Sequence, residues 1–427
     1  RTMFTIYSKN RSGDCAGNTR RDFLKVGAIG SSLLTLPNLL RAQSTTGGGV
    51  NNKSVIWIWL AGGPTHVETF DPKMTAPTEY RSITGEAKTP LAGVSMGGTF
   101  PKMAACMDKM ALIRSFAHGN SSHGTGTRWV MTGYDDRQNM QPSIGSIAAR
   151  NFGTTNSITG IPTYVRMNNI SSDGPGWLGT GYSPFNPNGP AVKNMASIVP
   201  EERFASRREL LNSLDTINRT ADNSGKLDGM DAFEQQAFDL VRGTSRDAFN
   251  ISKADPKERA RYGKGLGETL LTARRLCEAG CAFVTVSYGG WDMHGGIVQG
   301  LKGRAQQMDQ GIAALIEDLD ERGMLDDTLV VITGEFGRTP KINTKGGRDH
   351  WGRLCTLALA GGGLKMGQVV GESSDKIEVP ATTPITPQDL MATIFHMYGM
   401  DPRLQFVNNQ GRPVFLIEDG NPIAELI

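Results

Sequence analysis

Cysteine is scarce in this chain: five residues in 427, at positions 15, 106, 277, 281 and 355. No two form a Cys-x-x-Cys pair, so iron–sulfur and thioredoxin-like readings lack their ligands. No run of 18 apolar residues occurs, so no ordinary membrane-spanning helix is expected. Internal repeats and low-complexity tracts are absent too. The 53 glycines follow no period, which excludes collagen-like and solenoid folds. No dinucleotide-binding fingerprint is present. Neither sign of charge dominates, with 45 Lys+Arg against 42 Asp+Glu. Residues 1–42 hold seven of the basic and two of the acidic side chains, so the remainder carries 38 and 40. Nothing in that balance suggests a nucleic-acid partner.

Residues 19–25 read Thr-Arg-Arg-Asp-Phe-Leu-Lys, and the mildly apolar stretch Val26–Leu36 follows. An arginine pair before Phe-Leu-Lys and an apolar core is the pattern of a twin-arginine (Tat) export signal. Leu40-Arg41-Ala42 supplies an imperfect cleavage site. Residues 1–42 are therefore expected to be a signal peptide, with the Tat export machinery as a partner. The mature protein, residues 43–427, would be periplasmic or extracellular, with no stable membrane span after cleavage.

Beyond residue 43, short β-rich runs alternate with amphipathic helices, which predicts an α/β layered fold. The apolar runs 54–60, 282–288, 328–333 and 354–360 read as strands of a central sheet; 110–116 and 162–167 are weaker ones. Met308, Ile312, Leu315, Ile316 and Leu319 make one apolar helical stripe, which Gly323 terminates. Leu266, Leu270, Ala273 and Cys277 make another. Residues 387–398 read as a late helix with Thr386 as N-cap. Cys277 and Cys281, four apart, read as small buried residues of one helix. Residues 168–260 begin rich in Gly, Pro, Asn and Ser and continue as charged helical segments. They read as a cap or insertion beside the sheet, where substrate selection often resides.

Of six histidines, five follow a strand or sit in a glycine-rich loop, where ligands of open α/β sheets bind. The loops 289–295, 334–338 and 347–352 supply Asp292, His294, Glu335, Asp349 and His350. Two imidazoles with several carboxylates at successive strand ends suit a divalent metal ion, with Zn, Mn, Mg and Ca all open. The loop after the first strand adds His66 and Glu68. A third constellation, His118 to Gly133, is predicted to open a helix, whose free N–H groups suit an oxyanion. Ser121, Ser122, His123, Thr125 and Arg128 are the side chains there able to hold or attack it.

Four motifs bear a family resemblance: Gly-Gly-Pro-Thr-His66, Gly-Gly-Trp-Asp-Met-His294, Gly-Glu-Phe-Gly-Arg-Thr-Pro340 and Gly-Arg-Asp-His-Trp351. With the ending Gly-Arg-Pro-Val414 and Ile-Ala-Glu-Leu426, they resemble the DUF1501 family over about residues 50–427. That family is sulfatase-like and is grouped with the alkaline phosphatase-like superfamily. The resemblance implies a three-layer α/β/α sandwich with a largely parallel sheet and divalent metal at the strand ends. It implies that Asp292 and His294 are the superfamily's metal pair and that His350 is the final histidine ligand. Glu335-Phe336 falls where the superfamily has Asp-His. His123 falls at the sulfatase Cys/Ser position, with no Pro-Ser-Arg after it, and Arg128 lies one residue from the expected arginine. The formylglycine nucleophile is thus missing, and His123 is left as nucleophile, general acid or further ligand. Two functions remain: an exported metal-dependent hydrolase of phosphate or sulfate esters, acting on a small-molecule or polysaccharide ester, or a non-catalytic exported binding or structural protein that keeps the fold, with or without a metal.

Overall fold

The computed structural model describes residues 52–135, 141–187 and 244–427. The export signal and most of the cap expected over 168–260 lie outside these residues. Seven strands form one sheet: β1 (Ser54–Trp59), β2 (Met110–Ile113), β3 (Tyr164–Met167), β4 (Phe283–Ser287), β5 (Thr328–Thr333), β6 (Leu357–Gly361) and β7 (Gln368–Val370). Their order is β7-β2-β6-β5-β1-β4-β3. β1 runs parallel to both of its neighbours, β4 and β5. Only β6 runs against the rest, antiparallel to β5 and to β2.

The sheet is buried on both faces, which is why its strands read as unbroken apolar runs. Along β1, Ile56 and Ile58 face one core, while Val55, Trp57 and Trp59 face the other. Helices α3 (Leu266–Glu278) and α4 (Arg304–Glu321) cover the first face. Helices α1 (His123–Thr132), α2 (Ile144–Phe152) and α5 (Pro387–Tyr398) cover the second. The result is the three-layer α/β/α sandwich that was expected.

The α4 stripe Met308, Ile312, Leu315, Ile316 and Leu319 is wholly buried, and each such side chain contributes roughly 1.5–3 kcal/mol. α5 begins with a capping box in which Thr386 and Asp389 exchange hydrogen bonds, satisfying two N–H groups that the first helical turn leaves free.

Three expectations shift. The sixth strand begins at Leu357, not 354, because Cys355 N–H instead donates to Phe116 O. The second strand stops at Ile113. Cys281 lies past the end of α3, at the approach to β4, where its Sγ sits among backbone carbonyls. The four cysteines among the described residues are buried and unpaired. On either side of residues 188–243, Phe185 and Phe249 stack with ring centroids 5.5 Å apart.

Candidate metal centre

The strand directions bring distant loops to one rim. Trp59 of β1 aligns with Ser287 of β4 and with Thr333 of β5, so three carboxyl ends share a level. Because β6 is reversed, its first residue, Leu357, stands opposite Thr333. The loop leading into β6 therefore reaches the same rim. A two-residue ladder, Gly337–Arg338 against His350–Trp351, fixes that loop beside the one after β5.

Three imidazoles meet one carboxylate there. His294 Nε2 lies 3.0 Å and His350 Nε2 3.1 Å from Asp292 Oδ1. His123 Nε2 lies 3.3 Å from Asp292 Oδ2. The two nitrogens His294 Nε2 and His350 Nε2 are themselves 3.1 Å apart. His123, Asp292 and His350 form a set whose donor atoms all fall within 4.8 Å of one another. His294 approaches the same Asp292 oxygen as His350, and His123 approaches the other. All four side chains remain partly open to solvent.

The far nitrogen of each ring is committed. His123 Nδ1 lies 2.7 Å from Glu335 Oε1, His294 Nδ1 2.6 Å from Asp349 Oδ1, and His350 Nδ1 3.0 Å from the Ser121 carbonyl. Carboxylates and carbonyls only accept, so each Nδ1 carries the proton. In the neutral tautomer that this bonding selects, the three Nε2 lone pairs face Asp292, which is also an acceptor. Acceptors 3 Å apart repel unless a cation lies among them. Protons cannot serve throughout, since two N–H groups cannot share the 3.1 Å gap between His294 and His350.

Charge points the same way. Asp292, Glu335 and Asp349 meet a single guanidinium, Arg338, which leaves two negative charges. A divalent ion would neutralise them. Glu335 is almost fully buried and its Oε2 has no hydrogen-bond partner, a costly arrangement without nearby positive charge. The donor chemistry fits too: tetrahedral bonds of 2.0–2.1 Å imply donor separations of about 3.4 Å. The residues present therefore fit a divalent metal.

Arg338 fixes the centre from beneath. Its Nη2 donates to Asp292 Oδ1 at 2.6 Å and also to the Gly62 carbonyl, and its Nε donates to Gly63 O at 2.7 Å. Burial alone would push the Asp292 carboxyl up. The hydrogen bond from Arg338, with the Arg338 charge, holds it far below the usual carboxylate range. Phe336 packs against the His350 and His123 rings, at centroid distances of 4.4 and 5.0 Å. α1 can lie this close to the loop after β5 because residue 126 is glycine. A Cβ there would stand 2.7 Å from Glu335 O.

The remaining sequence-derived residues stand apart. Glu68 is fully buried against Arg348, and Thr65 Oγ1 donates to it. His66 is buried in the turn His66–Thr69, its Nδ1 facing the Arg338 N–H at 3.4 Å and its Nε2 near Ile377 O. Burial, then the Arg348 charge, lowers its pKa to about 3, so it is neutral. Neither side chain joins the set around Asp292. Ser122 is the exposed N-cap of α1 and makes no side-chain capping bond. Arg128, five residues beyond His123, is about 140° round the helix from it. A cleft of about 590 Å³ opens elsewhere, by Ser54 and Thr328 at the opposite ends of β1 and β5, and no histidine lines it.

Sequence reasoning missed Arg338 as the partner of Asp292. The only signal was its place in the Gly-Glu-Phe-Gly-Arg motif, three residues after Glu335.

The family described as "Protein of unknown function (DUF1501)" matches residues 52–427. This chain belongs to the DUF1501 family. No curated protein matches it by sequence. Among solved structures, the DUF1501 chain is similar to the lipoteichoic acid synthase LtaP from Listeria monocytogenes, at 11% identity and a TM-score of 0.37, covering 87% of this chain and 76% of that one. The PsFucS1 sulfatase from Pseudoalteromonas sp. follows at 12% identity and 0.39, covering 82% and 68%. The phosphonate monoester hydrolase SpPMH from Silicibacter pomeroyi has 15% identity and 0.34, covering 87% and 76%. Likeness this slight says nothing about the activity of the DUF1501 chain.

Proposed function

We propose that this protein is an exported, metal-dependent hydrolase of phosphate or sulfate esters. The observation that carries the reading is the convergence of three imidazole Nε2 atoms on the Asp292 carboxylate at the strand-end rim. The motif resemblance adds the ester class. A divalent ion held by these residues would polarise an ester oxygen and acidify a water.

The chain's own groups divide the remaining work. Asp292, His294 and His350 hold the ion, and Asp349 fixes the proton of His294 on Nδ1. Arg338 neutralises and anchors Asp292, but its nitrogens are already bonded, so it is not free to hold the substrate. The anionic ester group is held instead by the free N–H groups that open α1. Arg128 points away from them. The Ser122 hydroxyl has no base within hydrogen-bonding distance among the described residues, so water is the attacking group.

That lack of an activated side-chain nucleophile also favours a second reading, a binding protein that keeps the ion without turnover. Elemental analysis of the purified protein, followed by a panel of aryl phosphate and aryl sulfate esters, separates the two. Bound metal with ester cleavage, both lost in His350→Ala, supports the hydrolase. Bound metal with no cleavage of any ester supports the binding protein. Absence of metal defeats the hydrolase and the metal-holding form of the binding protein.

A further inference from the structure

We infer that His123 is a metal ligand rather than a nucleophile, and that Glu335 is the residue that positions it, which makes the centre nitrogen-rich and selective for a zinc-type ion over Mg²⁺ or Ca²⁺. This rests on the metal reading above and goes beyond it.

The first argument is direction. His123 donates from Nδ1 to Glu335 Oε1 at 2.7 Å, so its reactive lone pair is on Nε2. That lone pair faces Asp292 Oδ2 at 3.3 Å. A nucleophile needs open space beyond its lone pair for the electrophilic phosphorus or sulfur. Here the direction of attack ends on a carboxylate, which repels both an imidazole lone pair and an anionic ester. A cation between the two atoms removes the conflict.

The second argument is rigidity. The His123 ring is held edge-on to His350, at a centroid distance of 4.5 Å, and against Phe336 at 5.0 Å. As the first residue of α1 it has its backbone fixed by the helix. That fixed orientation keeps Nε2 aimed at Asp292, as a metal ligand requires, and leaves the ring no path toward an ester held elsewhere on the rim.

The third concerns Glu335. Its Oε1 accepts from both His123 Nδ1 and Gly62 N–H, at 2.7 and 2.9 Å. A carboxylate oxygen shared this way is turned toward the ring and the backbone. It acts on the ion through His123, as a second layer behind the ligand.

Three imidazoles and one carboxylate are a borderline donor set. Zn²⁺, Co²⁺ and Ni²⁺ accept such nitrogen donors, whereas Mg²⁺ and Ca²⁺ require oxygen.

The test is Co²⁺ titration of the full, metal-stripped chain, followed by its visible absorption bands. Wild type is expected to show the intense bands of low-coordinate cobalt, displaced by Zn²⁺ but not by a large excess of Mg²⁺ or Ca²⁺. His123→Ala is expected to weaken cobalt binding and collapse the bands, with added imidazole restoring them. His123→Gln retains side-chain volume beside Phe336 and is expected to show the same loss, so the result does not hinge on whether the alanine variant folds. Glu335→Ala should bind about tenfold to a hundredfold more weakly. Glu335→Gln, which still accepts from Nδ1, should bind nearly as wild type.

Wild-type bands in both His123 variants would overturn the ligand assignment and leave the metal reading standing. Displacement by Mg²⁺ would overturn the selectivity. A wild-type chain that takes up neither Co²⁺ nor Zn²⁺ would overturn the inference together with the reading beneath it.

Discussion

Glu68 and Arg348 form an ion pair in which neither side chain reaches solvent. The guanidinium also donates to the carbonyls of Thr339, Tyr80 and Arg81, so every part of the pair is satisfied. It ties the turn after β1 to the loop carrying His350, two residues beyond Arg348. Removing one partner of such a pair strands a buried charge at a cost of about 3–5 kcal/mol. Glu68→Ala and Arg348→Ala are each expected to lower thermal stability by that order. A melting temperature unchanged in either variant would show that the pair is dispensable.

Gly126→Ala should improve the intrinsic helix propensity of α1 by about 1 kcal/mol yet destabilise the protein. The new Cβ would stand 2.7 Å from Glu335 O, and α1 must move away, taking His123 with it. We expect a lower melting temperature and weaker metal retention on dialysis. A stabilised variant with intact metal content would refute the packing argument.

Asp173 sets a pH dependence unconnected with the metal. Burial pushes its carboxyl up to about 7, against hydrogen bonds from Thr285 and Ser143 that pull it down. The native state thus keeps a proton that the unfolded chain releases near 3.8. This contribution is fully present below that value and is lost as pH rises through about 7, at roughly 1.4 kcal/mol for each unit separating the two values. Denaturant midpoints across this window should fall less steeply in Asp173→Asn than in wild type. Identical slopes would remove Asp173 from the account.

His294→Ala and His350→Ala should each cut bound metal severely. His396→Ala should not, because that side chain is exposed on α5. Elemental analysis of the three variants decides the matter, and equal loss in all would mean that the rim cluster has been misread.

The proposed export depends on the twin-arginine pattern in residues 1–42. Replacing Arg20 and Arg21 with lysines is expected to retain the protein in the cytoplasm, as followed by cell fractionation. An unchanged distribution would count against the twin-arginine route.

Much of the fold was legible because burial on both sheet faces leaves apolar runs in the sequence. The direction of β6 was not, since an apolar run reads alike in parallel and antiparallel neighbours. Asp292, His294, His350 and His123 were legible as loop residues at strand ends. Glu68 and His66 look equivalent to them in one dimension. The turn His66–Thr69 swings both inward, and only the position of Arg348, 280 residues away, determines where Glu68 is satisfied. Ser121 contributes through its carbonyl, which no side-chain pattern can reveal.

The reversed β6 is what brings His350 to the rim at all. In consequence the chelating groups span residues 123 to 350, and no contiguous stretch of polypeptide holds a usable fraction of them. An ion cannot seed the early collapse of this chain, as it does in small zinc-nucleated modules. For the proposed ion the sandwich must close first, so loading would follow folding.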